Sequence, residues 1–204
     1  MFSGIVQGTG KVSKVISYED HISLEINAPK NFNKSLKKGA SISVDGICLT
    51  SVDKGINKLR FDVIEETIAR TNLKEIEKGS IVNLERSISA STEIGGHLMS
   101  GHIHCTGKIK KILNKKSTKD IVVDFPKKFK EYIFEKGYIG LNGCSLTLGK
   151  VNKTSFYLHL IPETLMVTNL DKLNVGSLVN IEIDQNTISV VETVKNTLAA
   201  QKSR

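Results

Sequence analysis

Tryptophan is missing from this sequence, and aromatic residues make up only 5% of its 204 residues. A surface that stacks nucleic-acid bases needs exposed aromatic rings. The low aromatic content therefore disfavours a nucleic-acid-binding barrel protein, although the net charge of +8 keeps that alternative open. The lysines also occur in scattered pairs rather than in one basic segment, which is typical of a solvated surface.

Long hydrophobic runs are lacking as well. No stretch of about 18 uncharged apolar residues, the length that spans a bilayer, occurs in the chain. Residues 1–8 lack the basic and apolar segments of a signal peptide. The three cysteines, Cys48, Cys105 and Cys144, are too few and too irregularly spaced for a disulfide framework or a zinc site. We therefore expect free thiols, a cytoplasmic location and no membrane contact.

What the sequence does contain is an internal repeat. Adding 97 to a residue number in the first half repeatedly reaches the same or a similar residue in the second half. Residues 9–11 (Thr-Gly-Lys) match 106–108, and residues 46–50 (Gly-Ile-Cys-Leu-Thr) match 143–147 (Gly-Cys-Ser-Leu-Thr). We predict two homologous domains, residues 1–90 and 97–186, joined by a stretch at 87–96 with linker composition.

Each half carries the signals of β-strands. Apolar and polar residues alternate with period two at 22–26, 41–44, 155–160 and 179–183. The pairs Asp45-Gly46 and Asn142-Gly143 favour tight hairpin turns, and a short helix is expected after Pro29 and after Pro126. We therefore predict an all-β fold with a small antiparallel barrel or sandwich in each half, and two barrels in tandem as the architecture.

The C-terminal residues depart from the repeat. After Asp184, apolar residues recur three or four positions apart, at Ile188, Val191, Val194 and Leu198. This spacing predicts an amphipathic α-helix over 187–204. A lone helix in an all-β chain must bury its apolar face, either on its own barrel or between subunits. Both alternatives stay open from the sequence.

Three stretches in each half place glycine, hydroxyl or charged residues where strands begin or end. They are 4–6, 48–50 and 62–67 in the first half, and 101–103, 145–147 and 159–164 in the second. Glycine lets a ligand approach the backbone, and hydroxyl groups donate or accept hydrogen bonds. On composition alone, these stretches either bind a heterocycle or merely shape hairpins. We expect residues 1–90 to fold alone and to bind ligand through the three first-half stretches.

The two copies differ at reactive positions. His102 stands where the first half has Ile5, and Ser145 stands where it has Cys48. Two similar pockets with unlike reactive groups suit a reaction between two copies of one substrate, one as donor and one as acceptor. His102 and His104 would share one face of a strand, but no third ligand follows at a familiar spacing, so we expect no metal site.

Four segments resemble the riboflavin synthase family. They are residues 1–10 (MFSGIVQGTG), 93–103 (EIGGHLMSGHI), 143–147 (GCSLT) and 160–165 (LIPETL), and the resemblance extends from residue 1 to about residue 200. It implies two Greek-key antiparallel β-barrels and a homotrimer formed through the C-terminal helix. It also implies active sites between subunits, no cofactor and no metal, and it leaves open an association with lumazine synthase.

The resemblance also implies a reaction and roles for individual residues. Two molecules of 6,7-dimethyl-8-ribityllumazine would exchange a four-carbon unit to give riboflavin and 5-amino-6-ribitylaminouracil, the final step of riboflavin biosynthesis. Histidine is a suitable general base near neutral pH, so His102 would be the base on the donor, and Cys48 would be the nucleophile for the acceptor. Ser145 and Thr147 would orient the donor, and Asp184 would steady one of these groups.

The ligand contacts implied in this way include Lys136, which would reach a ligand shared with the partner subunit. The complete set is Gly4, Ile5, Val6, Cys48, Leu49, Thr50, Asp62, Val63, Ile64, Glu65, Glu66, Thr67, Gly101, His102, Ile103, Lys136, Ser145, Leu146, Thr147, His159, Leu160, Ile161, Pro162, Glu163 and Thr164. A lumazine- or flavin-binding antenna protein of the same fold is the main alternative. The joint presence of Cys48, His102 and Ser145 argues against a pure binder.

Overall fold

The computed structural model describes residues 1–55 and 57–202. The first half comprises β1 (Gly8–Ser17), β2 (His21–Asn27), β3 (Ser41–Val44), β4 (Ile47–Gly55), β5 (Lys58–Ile64), α1 (Glu65–Arg70), a 3₁₀ turn (Asn72–Glu75) and β6 (Ile81–Arg86). The second half comprises β7 (Cys105–Asn114), β8 (Lys119–Asp124), a 3₁₀ turn (Lys127–Tyr132), β9 (Tyr138–Leu141), β10 (Cys144–Thr147), β11 (Ser155–Leu160), α2 (Pro162–Val167), a 3₁₀ turn (Asn169–Lys172) and β12 (Leu178–Ile183). Helix α3 (Gln185–Lys202) follows.

The strands form two antiparallel barrels. The first is closed in the order β1-β2-β5-β4-β3-β6. The second is a six-stranded sheet in the order β10-β9-β12-β7-β8-β11, which is nearly a closed barrel. In both, strands distant in sequence are neighbours, as in a Greek key. The predicted all-β tandem of Greek-key barrels with a C-terminal helix is confirmed.

Alternation of side chains builds the two cores. In β5, Leu59, Phe61 and Val63 point into the first barrel and are at most 1% exposed, whereas the intervening residues are exposed. Burial of such a side chain contributes about 1.5–3 kcal/mol before ordering costs. Each barrel has its own apolar cluster, which the other half supplements with Val6 in the second core and with Ile103 against the first.

The two predicted hairpin turns meet between the barrels. Asp45 and Gly46 have φ angles of 47° and 82°, and Asn142 and Gly143 have 44° and 81°, as a two-residue primed turn requires. A Cβ on Gly46 would lie 2.7 Å from the backbone nitrogen of Gly143. The turns are therefore in direct contact, and glycine is needed at both.

The helices expected after the prolines are not α-helices. After Pro126 the chain forms a 3₁₀ turn, and after Pro29 it forms only turns over 30–35. Asn31 and Ser35 have φ angles of 66° and 57°, which lie in the left-handed region and interrupt a right-handed helix. The predicted helix after Pro29 is therefore wrong.

A buried network of amide side chains joins the barrels. The Asn83 side chain donates to the Asn142 carbonyl (2.8 Å), and the Asn180 side chain donates to the Asp45 carbonyl (2.9 Å). The Asp45 carboxyl accepts from the Asn83 N–H, and from the side chains of Asn72 and Asn169. Burial raises the pKa of Asp45 to about 6, although these hydrogen bonds oppose the rise.

Helix α3 begins two residues earlier than predicted because Asp184 caps it. The Asp184 carboxylate accepts from the backbone N–H groups of Asn186 and Thr187 and from the Thr187 hydroxyl. Ile188 packs on the second barrel, but Val194 is 52% exposed and Leu198 is 53% exposed. Most of the apolar face is therefore not covered within the chain.

Residues 203 and 204 of the predicted helix lie outside the described residues. No helix in the described part of the chain is long and apolar enough to cross a membrane.

Candidate active site

Two loops cross from one barrel to the other. The Ser145 N–H on β10 donates to the Gly4 carbonyl at 2.9 Å, and the Cys48 N–H on β4 donates to the Gly101 carbonyl at the same distance. The side chains of these loops also pack on the opposite barrel: Val6 lies in the core of the second barrel, and Ile103 packs against the core of the first. Each loop therefore belongs to the barrel formed by the other half.

This crossing regroups the predicted ligand stretches. We define the Cys48 half-site as residues 48–50, 62–67 and 101–103, and the Ser145 half-site as residues 145–147, 159–164 and 4–6. The expectation that residues 4–6 act together with 48–50 is wrong, because residues 4–6 lie against β10. A repeat shows which residues are equivalent, but not which barrel each loop contacts.

A buried glutamate anchors each crossing loop. Glu85 on β6 accepts from the N–H and hydroxyl of Ser3 (2.5 and 2.7 Å) and from the Gly4 N–H. Glu182 on β12 accepts the same bonds from Ser100 (2.6 and 2.8 Å) and Gly101. Burial raises the pKa of both carboxyls, and the hydrogen bonds oppose this. These six residues form three repeat pairs in the sequence, but the role of the two glutamates was not predicted.

Glycine is required where the loops touch the strands. Gly4 and Gly101 have φ angles of 74° and 83°, in the region that favours glycine. A Cβ at Gly4 would lie 2.5 Å from the Ser145 Cβ, and one at Gly101 would lie 2.5 Å from the Cys48 Cβ. The reactive side chains therefore stand immediately beside a loop backbone.

In the Cys48 half-site, Cys48 is partly exposed, and Thr50, Asp62 and His102 are exposed. The side chains of Leu49 and Val63 lie in the first core, so these residues offer only their backbone to a ligand. Ile64 is 59% exposed at the end of β5. Helix α1 follows with exposed Glu65 and Glu66, the latter paired with Arg70, and the Thr67 carbonyl accepts from the Thr71 hydroxyl.

In the Ser145 half-site, Ser145 and Leu146 are partly buried, Thr147 is exposed, and Ile5 is 44% exposed. Leu160 lies in the second core. Ile161 is 58% exposed. Pro162 and Glu163 are exposed in the first turn of α2, and the Thr164 carbonyl accepts from the Thr168 hydroxyl.

His159 on β11 has a fixed ring. Its Nδ1 lies 2.8 Å from the Asp120 carboxylate, whose other oxygen is 2.6 Å from the Lys115 ammonium. Asp120 lies on the neighbouring strand β8. The pKa of Asp120 is lowered by its hydrogen bonds to Lys115 and His159. The pair orients His159 in the Ser145 half-site.

His97 lies next to Ser145 and was missed as a site residue. Its Nδ1 is 2.7 Å from the Ser145 Oγ, and its ring stacks on Tyr138 with centroids 5.5 Å apart. Burial lowers the pKa of His97, while the negative charge of Asp184 raises it. The sequence contained no periodic or repeat signal for this contact, which depends on the path of the loop before β7.

Two further predicted site residues, Asp184 and Lys136, make no described contact with Cys48 or Ser145. Asp184 caps α3. Lys136 is exposed in the turn before β9, with a φ of 68°. His102 and His104 precede β7 in irregular structure, so the expectation that they share a strand face is wrong. The His104 Nδ1 accepts the Ile183 N–H.

Comparison with known proteins identifies the family. The family model described as lumazine binding domain matches twice, over residues 3–87 and 100–184. The chain is 43% identical over 206 residues to the riboflavin synthase of Escherichia coli strain K12, covering 100% of this chain and 96% of the relative.

This chain belongs to the riboflavin synthase family.

A second relative is also a riboflavin synthase, whereas the similar solved structures are complexes of LumP. The riboflavin synthase of Chlamydia pneumoniae is 42% identical over 200 residues, covering 98% of each chain. LumP complexed with riboflavin has a TM-score of 0.84 at 30% identity, covering 90% of this chain and 99% of LumP. LumP complexed with 6,7-dimethyl-8-(1'-D-ribityl) lumazine has a TM-score of 0.82 at the same identity. Sequence identity is thus higher to the riboflavin synthase enzymes than to LumP.

Proposed function

We propose that this chain is the enzyme that converts two molecules of 6,7-dimethyl-8-ribityllumazine into riboflavin and 5-amino-6-ribitylaminouracil. One observation carries the proposal: the two half-sites share a backbone framework but differ in their reactive side chains. The same framework suits two copies of one molecule, whereas Cys48 and His102 on one side and Ser145 on the other treat them differently. One copy then acts as donor and the other as acceptor.

The donor gives up a proton first. The methyl group on C7 of the lumazine is acidic, because its carbanion is delocalised into the electron-poor ring as an exocyclic methylene. A modest base near neutral pH is sufficient. His102 is exposed at the edge of the Cys48 half-site and would reach the donor in the facing Ser145 half-site of the neighbouring subunit. Ser145 and Thr147 hydrogen-bond to the donor and orient it. Asp184 supports the Ser145 half-site, because its negative charge raises the pKa of His97.

The acceptor is activated by addition at its own C7. The Cys48 sulfur is the nucleophile, and it lies beside the Gly101 backbone. The four-carbon unit that leaves the donor joins the acceptor, and the Cys48 sulfur leaves C7 again as the riboflavin ring forms. The two molecules are transformed at each other's expense, so no redox cofactor is required. Holding the two rings stacked supplies much of the rate enhancement.

The assembly belongs to the same proposal. The exposed apolar face of α3, including Val190, Val194 and Leu198, supports a homotrimer formed through this helix. In the trimer the Cys48 half-site of one subunit faces the Ser145 half-site of its neighbour, and Lys136 reaches the shared ligand. The three cysteines are free thiols, which supports a cytoplasmic location. Association with lumazine synthase is an additional partner to test.

The deciding experiment incubates the pure protein with the lumazine, a chelator and no added cofactor, and separates the products by chromatography. We expect one riboflavin for every two lumazines consumed. Tight binding without product would contradict the proposal and leave a LumP-like binding protein. The same protein titrated with single-stranded DNA should show no saturable binding.

A further inference from the structure

A buried histidine outside the predicted ligand stretches lies directly behind Ser145. The side chain of His97 is 7% exposed, and its Nδ1 is 2.7 Å from the Ser145 Oγ. The other ring nitrogen, Nε2, is buried and has no hydrogen-bond partner among the described residues. Leaving a buried polar atom without a partner costs about 1–3 kcal/mol, so the ring position calls for an explanation.

The surroundings hold the ring in one orientation. Its plane lies at 15° to that of Tyr138, in a stacked arrangement. The backbone of Gly96 packs against both partners of the ring, because a Cβ there would lie 2.7 Å from the Tyr138 ring and 2.9 Å from the Ser145 Oγ. The His97–Ser145 hydrogen bond is therefore fixed by packing on the loop before β7.

The chemistry of this pair follows from the charge on the ring. Burial favours the neutral imidazole by lowering its pKa, against the charge of Asp184 at the start of α3. A neutral imidazole has one donor and one acceptor nitrogen. Through Nδ1 it sets the direction of the Ser145 hydroxyl, and therefore whether that oxygen offers its proton or its lone pairs to the ligand.

The Cys48 half-site contains no equivalent among the described contacts, since the Cys48 side chain has no histidine bonded to it. We propose that His97 is a positioning residue that orients the Ser145 hydroxyl toward the substrate held in the Ser145 half-site. The proposal rests on the proposed function of that half-site. It makes the two half-sites different in a second respect, beyond the identity of the side chains at 48 and 145.

The test is a pair of double-mutant cycles on the full-length protein. His97→Phe retains a ring for stacking on Tyr138 but removes the nitrogen, and His97→Gln supplies an amide that can hydrogen-bond to the hydroxyl. We expect His97→Phe to lower kcat on the order of 10-fold with a small change in KM, and His97→Gln to recover most of it. Combined with Ser145→Ala, His97→Phe should have no further effect.

The matched cycle uses the other half-site. Combined with Cys48→Ser, His97→Phe should lower kcat by the same factor as it does alone, because the two residues lie in different half-sites. An equal loss from His97→Phe with and without Ser145→Ala would overturn the proposal and assign His97 a purely structural role. If His97→Phe does not fold, the cycle is run with His97→Leu, which also removes the ring nitrogen, against Ser145→Ala.

Failure of the proposed enzymatic function can be distinguished from failure of the His97 proposal. If the unaltered protein forms no riboflavin, the enzymatic function fails. The His97–Ser145 coupling is then read from the same variants by fluorescence titration with the lumazine. Non-additive changes in Kd support the positioning role, and additive changes overturn it.

Discussion

In both half-sites a strand N–H donates to a glycine carbonyl of a crossing loop, and a buried glutamate anchors that loop. At the centre of the same frame, one half-site presents Cys48 and His102, and the other presents Ser145 backed by His97. The frame is held largely by backbone atoms and by the two glutamates. Side chains at 48 and 145 can therefore differ without disturbing it, which is how a duplicated fold acquires two chemical roles.

Removal of α3, the element without a copy in the first half, should have the largest effect. Deleting residues 187–204 removes Ile188 from the surface of the second core, whereas Val194 and Leu198 are already about half exposed within the chain. We expect the oligomer to dissociate and riboflavin formation to be lost, while each barrel still binds ligand weakly. Sedimentation and activity are measured on the same sample. A fully active monomer would show that both half-sites of one chain act together.

Replacing the proposed base, His102, should have the second-largest effect on turnover. His102→Gln should lower turnover by about 100-fold or more if His102 removes the methyl proton. The control is His21→Gln, a histidine on the surface of the same barrel that stacks on Tyr18, which should change turnover little. A wild-type rate for His102→Gln would withdraw this role and leave the function intact.

Exchanging the central side chains sharpens the comparison further. Cys48→Ser gives the Cys48 half-site the hydroxyl of the Ser145 half-site, and we expect turnover to fall on the order of 10-fold, because a serine hydroxyl is a weaker nucleophile than a thiolate. Circular dichroism should show an unchanged fold. Full activity would assign the addition step to water or to a ribityl hydroxyl.

The last expected effect is on stability rather than on turnover, and it concerns the buried carboxyl of Asp45. The pKa of Asp45 rises from 3.8 to about 6 in the fold, so the folded protein binds the extra proton between those values. Its contribution to the free energy of unfolding is complete below about pH 4 and is lost as the pH rises to 6, a change of up to about 3 kcal/mol.

Asp45→Asn should remove this slope, whereas Asp62→Asn, an exposed control in the same barrel, should retain it. Thermal melts at pH 4.5 and 7.5 measure the difference for each variant. Glu85 and Glu182 contribute slopes of the same sign in all three proteins, so the comparison between variants isolates Asp45. Identical slopes for Asp45→Asn and the unaltered protein would show that this carboxyl does not titrate in the fold.

The sequence predicted the fold through particular residues. Alternation in residues 155–160 matched β11, and the pairs Asp45-Gly46 and Asn142-Gly143 marked the hairpins. It did not predict the partners of residues 4–6 and 101–103, because equivalence in a repeat is satisfied equally well by contacts within a barrel or across to the other one.

The anchoring glutamates and His97 were missed for different reasons. Glu85 and Glu182 occupy strand positions where a charged residue ordinarily faces solvent, although their repetition was visible in the sequence. His97 directly follows the segment of linker composition at 87–96, and only the folded path brings its ring to Ser145. Local pattern therefore predicted the strands, while contacts between distant segments required the structure.

The reciprocal crossing of the two loops also bears on ancestry. Residue 4 contacts 145, and residue 101 contacts 48, so the exchange is symmetric in the manner of an isologous two-fold interface. A chain with a single barrel would lack the loop that completes its own pocket, and a second identical copy would supply it. The two halves of this chain are thus arranged like the subunits of a swapped homodimer, but because they are covalently linked and differ in sequence, they need not carry the same reactive groups.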